Sequence, residues 1–212
     1  MIEKEQEDFI NFYKVPCETI YKLSVYRERL VEWNQKFNLI APSTIPHIWT
    51  RHFLDSAQLM PFIPESAHIA ADMGSGAGFP GLVLGVMAQG LKKPLQIHVI
   101  ESTGKKADFL QAVTDELELN IVVRRERIEA IRDLKADIVM ARALKPLPDL
   151  LGYANHLAYK GTRCLFLKGR NISEELTRAQ KQWIFQSEIF PSRSDDSGRI
   201  IVLSDIRYKS RR

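Results

Sequence analysis

The first third of the chain carries apolar side chains at intervals of three and four residues. They are Ile20, Leu23, Tyr26, Leu30, Trp33 and Phe37. Because an α-helix turns once every 3.6 residues, this spacing puts them in one stripe. The pattern predicts a long amphipathic helix, with Pro16 suited to its first turn.

A second helix is predicted from Ser43 or Thr44 through Phe53 and Leu59. It should end before the prolines at positions 61 and 64, since proline lacks the amide that a continuing helix needs. We therefore expect residues 1–65 to form a helical N-terminal cap.

The pattern changes after residue 66, where short apolar runs alternate with segments of helical periodicity. The runs predict strands at residues 67–72, 95–100, 121–123, 137–140, 163–167, 183–190 and 199–206. The segments between them predict helices at residues 79–89, 104–118, 147–158 and 173–181, with a short helical turn at 127–133. Strands that alternate with helices are typical of a parallel sheet covered on both faces.

The last two predicted strands are separated only by residues 191–198, a connection short enough for a hairpin. A mostly parallel, seven-stranded sheet should therefore end in an antiparallel pair. The fold class predicted for residues 66–212 is a Rossmann-like α/β domain, preceded by the helical cap.

A glycine-rich segment follows the first predicted strand, where residues 72–78 read DMGSGAG. Glycines at alternate positions allow positive φ angles and let the backbone approach a bound small molecule without side chains in the way. The next residues, Phe79-Pro80-Gly81, should start a helix, with Pro80 in its first turn. The segment therefore predicts a ligand site at the end of the first strand.

Two ligand classes use such a loop. Gly76, Gly78 and Gly81 satisfy the G-x-G-x-x-G pattern of dinucleotide-binding proteins. The longer pattern that starts at Asp72 is typical of S-adenosylmethionine sites, where an acid can favour the ligand's ammonium directly or through water. Glu101, which ends the second strand, can accept hydrogen bonds from ribose hydroxyls in either class. Asp72 favours S-adenosylmethionine, although the glycines alone leave NAD open.

Charge and cysteine content restrict the function less than the glycine loop does. Thirty Lys and Arg residues stand against 26 Asp and Glu, and a net charge of +4 does not by itself indicate nucleic-acid binding. The basic residues cluster, however, and several clusters could together form a surface that binds polyanions. The clusters are Lys105-Lys106, Arg124-Arg125 with Arg127, Lys168 with Arg170, and Arg207 with Lys209, Arg211 and Arg212.

Cys17 and Cys164 lie far apart in sequence, on a predicted helix and a predicted strand, so reduced cysteines without a disulfide or metal site are expected. No apolar run approaches the length of a membrane helix, and residues 1–5 lack the order of a signal peptide. These observations favour a cytoplasmic protein that does not associate with membranes.

The segment after the fourth strand bears on the chemistry of the acceptor. Residues 141–146 read ARALKP, with neither the Asn/Asp-Pro-Pro-aromatic stretch typical of exocyclic amine methylation in DNA nor a cysteine nucleophile for C5 methylation. A site without a positioned base suits an acceptor with a free lone pair, such as N7 of guanine. Rate would then come from alignment of N7 with the methyl carbon and from exclusion of water.

Six segments taken together resemble one known family. They are DMGSGAGFPG (72–81), WN (33–34), NLIA (38–41), RHFLDS (51–56), GKK (104–106) and ARA (141–143). From about residue 25 to the end, the chain resembles the GidB family, also called RsmG, which methylates N7 of a guanine in bacterial 16S ribosomal RNA. The resemblance implies a class I methyltransferase fold, S-adenosylmethionine as cofactor with S-adenosylhomocysteine as product, and 16S ribosomal RNA in a small-subunit ribonucleoprotein as partner. Residues 1–15 show no match.

The resemblance also implies contacts with the cofactor. They would fall on Gly74, Phe79, Ile128, Glu129 and Arg142, with phenylalanine at 79 where some members have leucine. Ile128 and Glu129 could pack on the adenine and meet its amino edge, while Arg142 could pair with the cofactor's carboxylate or steer the RNA. The complete predicted cofactor set is Asp72, Gly74, Gly76, Gly78, Phe79, Glu101, Ile128, Glu129 and Arg142.

Arg51, His52, Lys168 and Arg170 are the candidates for RNA binding. Lys168 and Arg170 end the fifth strand, on the edge of the sheet where the cofactor is expected. His52 and Asp55 lie on one helical face and are either catalytic or join the cap to the methyltransferase domain by hydrogen bonds. We therefore assign no residue a catalytic role from the sequence. Other hypotheses are an NAD-dependent oxidoreductase and a non-catalytic ribosome-assembly factor, and a monomer is favoured.

Overall fold

The computed structural model describes residues 4–209, and its N-terminal part is helical. Helix α1 spans Lys4–Tyr13 and helix α2 spans Cys17–Asn34. The predicted stripe faces inward on α2, where Leu23, Tyr26 and Leu30 are fully buried. The helix ends three residues before Phe37, because the Asn34 side chain turns back and accepts hydrogen bonds from the amides of residues 39 and 40.

The second predicted helix is wrong as one continuous element. Instead, Pro42–His47 form a 3-10 helix, Trp49–Leu54 a π-helical segment, Asp55–Ala57 the short helix α3, and Met60–Phe62 a further 3-10 turn. Pro46 lies inside the first of these and has no amide to donate, so a regular α-helix cannot run through this segment. The irregular path nevertheless directs His52 and Asp55 toward the sheet.

The remaining elements alternate as the sequence predicts. The strands are β1 (Ile69–Met73), β2 (Gln96–Ile100), β3 (Ile121–Arg124), β4 (Ile138–Arg142), β5 (Arg163–Lys168), β6 (Trp183–Pro191) and β7 (Arg199–Tyr208). The helices are α4 (Gly81–Gly90), α5 (Gly104–Glu116), α6 (Leu147–Leu157) and α7 (Ile172–Ala179), and Ile128–Ala130 form a 3-10 turn. Pro80 lies just before α4 rather than in its first turn, after a cis peptide bond with Phe79. No helix within residues 4–209 is long and apolar enough to cross a membrane.

All seven strands form one sheet in the order β3-β2-β1-β4-β5-β7-β6. The first five strands are parallel, while β7 pairs antiparallel with both β5 and β6. This arrangement confirms the predicted Rossmann-like sheet with its C-terminal hairpin. The chain order reverses between β1 and β4, so their carboxyl ends flank a crevice of the kind that holds ligands in such sheets.

Two apolar clusters cover the two faces of the sheet. One cluster joins the cap to the face covered by α4 and α5, with Tyr26 and Phe53 packed among Leu82 and Phe109. The other cluster lies between the sheet and α6 and α7, around Leu150 and Phe166. Because the cap contributes to the same core as the sheet, its side chains can hold elements of the crevice in place.

Candidate active site

The glycine loop makes a sharp turn at the carboxyl end of β1. Gly74, Gly76 and Gly78 have φ angles of +66°, +57° and +98°, a region that L-residues with side chains rarely adopt. The Ser75 amide donates to the Ile100 carbonyl at 3.1 Å, which ties the loop to β2. A Cβ on Gly76 would meet no atom closer than the Gly74 carbonyl oxygen at 3.9 Å. At Gly76 the loop therefore presents bare backbone to open space, whereas side chains of the protein pack closely against Gly74 and Gly78.

Asp72 lies beneath this loop rather than in the open space. Its side chain is fully buried, and Oδ2 accepts a hydrogen bond of 2.9 Å from the amide of Gly81, at the start of α4. Oδ1 is buried and has no hydrogen-bond partner among the described residues. Burial raises the pKa of Asp72 to about 6, although hydrogen bonds to the carboxylate oppose that rise. Asp72 thus fixes the loop to the helix and keeps one acceptor unused.

A cleft of about 360 Å³ opens beside the glycine loop and is called the glycine-loop cleft here. Its walls include Gly74, Gly76, Glu101, Ile128 and Glu129. Glu101 is nearly buried, and its two oxygens accept hydrogen bonds from the amides of Gly76 at 3.1 Å and Thr103 at 2.7 Å. The cleft therefore combines bare loop backbone, apolar side chains and the carboxylates of Glu101, Glu126 and Glu129.

A second cleft, of about 350 Å³, lies between the cap and the sheet and is called the cap cleft here. It is lined by Arg51, His52 and Asp55 of the cap, by Arg142 and Lys168 at the ends of β4 and β5, and by the loop between β6 and β7. Ala143 lines both clefts, so the two adjoin at the end of β4.

Three cations of the cap cleft are each paired with a carboxylate. Arg142 Nη1 lies 3.2 Å from Asp55 Oδ2, Arg51 Nη1 lies 2.8 Å from Asp195 Oδ2, and Lys168 Nζ lies 2.7 Å from Glu175 Oε2. Hydrogen bonds to Ser197 and Arg51 hold the pKa of Asp195 well below its usual range. The lining therefore offers cationic side chains without a large local excess of positive charge.

His52 forms the floor of the cap cleft together with Arg142. The His52 ring stacks on the Phe79 ring with centroids 4.7 Å apart. The Arg142 guanidinium lies 4.7 Å from the centroid of the Phe79 ring. Arg142 Nη2 is 2.8 Å from His52 Nδ1, and His52 Nε2 is 2.9 Å from Thr44 Oγ1. Because an arginine can only donate, Nδ1 accepts and Nε2 carries the proton. Burial and then the charges of Arg142 and Arg51 lower the pKa of His52 to about 3, so the imidazole is neutral.

The structure divides the predicted site residues between the two clefts. Those that line the glycine-loop cleft are Gly74, Gly76, Glu101, Ile128 and Glu129. Those that line the cap cleft are Arg51, His52, Lys168 and Arg142, the last expected among the cofactor contacts. Asp72, Gly78 and Phe79 are buried behind the loop, and Arg170 is exposed beyond the cap cleft. Asp55 and His52 join the cap to β4 through Arg142, as one of the two hypotheses for them expects.

Sequence reasoning missed the loop that closes one side of the cap cleft. The sequence predicts residues 191–198 only as a hairpin connection, yet Ser194 Oγ donates to Asp55 Oδ1 at 2.6 Å and Asp195 pairs with Arg51. Gln58 adds two bonds, from its Nε2 to Ser192 Oγ and from the Arg193 amide to its Oε1, both at 3.0 Å. The serine and aspartate content of the loop was the available signal.

Solved structures with a similar fold include methyltransferases. An O-methyltransferase from Bacillus cereus in complex with SAH matches with a TM-score of 0.55 and 15% identity, over 85% of this chain and 91% of that one. A ribosomal protein L11 methylase from Lactobacillus delbrueckii subsp. bulgaricus matches with a TM-score of 0.56 and 13% identity, over 70% and 75%. At this level of identity the similarity concerns the fold.

Relatives with much higher identity cover nearly the whole chain. A ribosomal RNA small subunit methyltransferase G of Paramagnetospirillum magneticum is 43% identical over 94% of this chain and 95% of its own. Its counterpart in Hyphomonas neptunium is 44% identical, over 95% of each chain. The family model described as GidB, rRNA small subunit methyltransferase G, matches residues 19–195. The chain therefore belongs to the GidB family of ribosomal RNA small subunit methyltransferases.

Proposed function

We propose that this protein transfers a methyl group from S-adenosylmethionine to N7 of a guanine in 16S ribosomal RNA. Membership of the GidB family supports methylation of small-subunit ribosomal RNA. The choice of N7 rests on the resemblance and on the absence of a base or nucleophile in the ARALKP segment. Since its substrate would be part of a small-subunit ribonucleoprotein, we expect the protein to work in the cytoplasm.

The residues of the glycine-loop cleft fit the cofactor. Gly76 leaves room for the methionine part, Glu101 can accept hydrogen bonds from the ribose, and Ile128 with Glu129 can receive the adenine. The free Oδ1 of Asp72 adds a buried acceptor next to the loop. Glu101 bonds the amides of Gly76 and Thr103, so ribose binding would add to these contacts or replace them.

The cap cleft fits the acceptor strand. Arg51, Lys168 and the nearby Arg170 can contact phosphates, whereas Asp55 and Asp195 balance the cationic lining. Methylation at N7 leaves a positive charge on the guanine, and a lining of paired ions receives that charge better than unpaired arginines and lysines would. The adjacency of the two clefts at Ala143 is the observation that carries this assignment.

Chemically, the cofactor supplies an electrophilic methyl group on a sulfonium. With that cofactor bound, the N7 lone pair would form the new bond to carbon as the carbon–sulfur bond broke, and the bonding pair would go to sulfur. No proton has to leave, so the protein does not need a general base. The neutral state of His52 and the ion pair of Arg142 with Asp55 hold the cleft in shape while the two reacting atoms are aligned.

We also propose a division at about residue 65, with residues 1–65 as the cap and 66–212 as the methyltransferase domain. The change from helices to alternating strands and helices supports this boundary. The shared core between the cap and α4 suggests that the methyltransferase domain depends on the cap for its stability. A truncated chain starting at residue 66 should therefore unfold at a lower temperature than the full chain.

The direct test is methyl transfer from labelled S-adenosylmethionine to bacterial 16S RNA, supplied naked or in small subunits, followed by mapping of the modified base. We expect one guanine to acquire the label at N7. Label on another atom would refute the acceptor assignment. The family match does not favour a dehydrogenase or a non-catalytic assembly factor; NADH binding without S-adenosylhomocysteine binding, or RNA binding without transfer, would restore those alternatives.

A further inference from the structure

Tyr26 of the cap reaches the glycine loop of the methyltransferase domain. It is fully buried in α2, and its hydroxyl donates to the Ala77 carbonyl at 2.5 Å. The contact joins residues 51 positions apart in the sequence. A Cβ on the neighbouring Gly78 would lie 2.7 Å from the Tyr26 hydroxyl, so the close approach depends on a glycine at that position.

The other hydrogen bonds of the loop come from its own domain. The Ser75 amide bonds Ile100 of β2, the Gly76 amide bonds Glu101, and the Gly78 amide bonds the Ser75 carbonyl at 2.7 Å. These bonds hold the first half of the loop to β2 and close its turn. The bond from Tyr26 holds the Ala77 carbonyl, which points away from the cleft side of the loop toward the cap core.

The Tyr26 ring has little freedom to move. It packs against Phe53, Phe79 and Phe109 with ring centroids 5.3, 5.7 and 6.2 Å away. Burial raises the pKa of Tyr26 well above its usual value, so the hydroxyl keeps its proton and remains a donor. Phe79, one of these neighbours, also carries the stacked His52 ring of the cap cleft.

From this geometry we propose that Tyr26 is a positioning residue, through which the cap holds the glycine loop in the shape that binds S-adenosylmethionine. The inference rests on the proposed function of the glycine-loop cleft. Tyr26 does not touch the cleft, so it acts by keeping the loop in place. If the loop holds its binding shape for only a tenth of the time, the apparent dissociation constant rises tenfold.

The test compares Tyr26→Phe with the matched variant Tyr13→Phe in the full-length protein. Tyr13 is half-buried, and its hydroxyl is buried but has no hydrogen-bond partner among residues 4–209, so the loss of that hydroxyl removes no contact with the loop. Calorimetric titration with S-adenosylhomocysteine should show about tenfold weaker binding for Tyr26→Phe, as the Ala77 carbonyl loses its donor, and wild-type affinity for Tyr13→Phe. The KM for S-adenosylmethionine should rise with little change in the KM for RNA.

Leu203→Val distinguishes positioning of the loop by Tyr26 from a general effect on stability, because it disturbs the apolar cluster on the opposite face of the sheet. That variant should lose thermal stability but keep its affinity for S-adenosylhomocysteine, and amides of residues 74–79 should exchange faster only in Tyr26→Phe. Equal affinity in Tyr26→Phe and wild type would overturn the inference alone. Equal weakening in Leu203→Val would also overturn it, while failure of the wild type to bind S-adenosylhomocysteine would overturn the proposed function.

Discussion

The two clefts at the carboxyl edge of the sheet are built in different ways. The glycine-loop cleft uses backbone and side chains at the ends of β1 to β4, all within the methyltransferase domain. The cap cleft joins a π-helical turn, the ends of β4 and β5, and the loop between β6 and β7. The comparison shows that the first site depends on loop shape, while the second depends on ion pairs between distant segments.

The largest effect is expected when a side chain is added to the glycine-loop cleft. In Gly76→Val, the new side chain would project from a backbone with a φ of +57° into open cleft space. We expect affinity for S-adenosylhomocysteine to fall about 100-fold or more, equivalent to roughly 2.7 kcal/mol. Isothermal titration calorimetry measures this loss.

Gly161→Val is the matched control for that variant. Gly161 also has a positive φ, of +105°, but a Cβ there would meet no atom within 4 Å. Gly161 lies between α6 and β5, at the amino end of β5. Valine there strains the backbone in the same way but places no side chain in the glycine-loop cleft. Wild-type affinity in Gly76→Val, or an equal loss in both variants, would show that the loop does not form the cofactor site.

An effect no larger than that of Gly76→Val, and confined to the acceptor side, is expected for Arg142→Met. The change removes the partner of Asp55 and the donor to His52, and it leaves the half-buried Asp55 carboxylate without its arginine. We expect kcat/KM for RNA to fall about 100-fold, while affinity for S-adenosylhomocysteine changes less than about threefold. Steady-state kinetics and calorimetry measure the two quantities.

The control for Arg142 is Arg163→Met. Arg163 also joins the sheet to the cap, through a 3.2 Å bond to the Phe62 carbonyl, but at the amino end of β5. The Arg163→Met variant should retain most of the wild-type methyltransferase activity. A collapse of cofactor affinity in Arg142→Met, as large as that of Gly76→Val, would instead assign Arg142 to the cofactor, as the family resemblance suggested.

His52 should give the protein a dependence on pH that is opposite in sign to that of the buried Asp72 beneath the glycine loop, whose pKa is raised. The folded-state pKa of His52 is lowered to about 3 from 6.5, so below pH 6.5 the unfolded chain takes up a proton that the folded protein does not. This contribution to stability is complete above pH 6.5 and decreases as the pH falls toward 3. The slope from one such group reaches at most about 1.4 kcal/mol per pH unit.

Urea unfolding of His52→Gln between about pH 4 and 6.5 tests this dependence. The variant should show a shallower decrease in unfolding free energy than the wild type as the pH falls. His68→Gln replaces a histidine on the surface and should follow the wild-type curve. Parallel curves for His52→Gln and wild type would mean that the imidazole is not held neutral in the fold.

The smallest effect concerns the ion pair of Arg51 with Asp195. Arg51 is a candidate for RNA binding, and in this pair its guanidinium is held by the Asp195 carboxylate. Asp195→Asn frees Arg51 and should strengthen RNA binding several-fold. Arg51→Gln should weaken it and reduce the slope of log K against log salt by about 0.7. Glu116→Gln makes the same charge change at an acid outside the cap cleft, where it removes one of the two carboxylate partners of Arg29. In filter binding, the two acid variants should therefore have unequal effects on RNA affinity. Equal effects would indicate a response to net charge alone.

The difference between the clefts also explains what the sequence predicts. The sheet and the glycine loop follow from local patterns, since alternation of apolar runs and the spacing of Gly74, Gly76 and Gly78 are visible within short windows. The cap cleft depends on pairs such as Arg51 with Asp195, which are 144 positions apart. No local periodicity links those residues, so their meeting requires the folded chain.

The helix predicted within residues 42–62 is wrong for a related reason. Apolar spacing predicts one helix, but Pro46 and the packing of Trp49 and Phe53 into the shared core break it into short turns. Likewise, Asp72 was placed correctly at the end of β1, whereas its burial beneath the loop depends on where α4 begins. Tertiary contacts decide such details after the local pattern has set the elements.

The central claim is that cofactor and guanine occupy adjoining clefts that meet at Ala143. A crystal structure of the protein with S-adenosylhomocysteine tests it most directly. We predict the ligand in the glycine-loop cleft, with its ribose at Glu101, its adenine at Ile128 and its sulfur facing Ala143 and the cap cleft. Ligand bound in the cap cleft, or a sulfur directed away from Ala143, would contradict the assignment of cofactor and guanine to these two clefts.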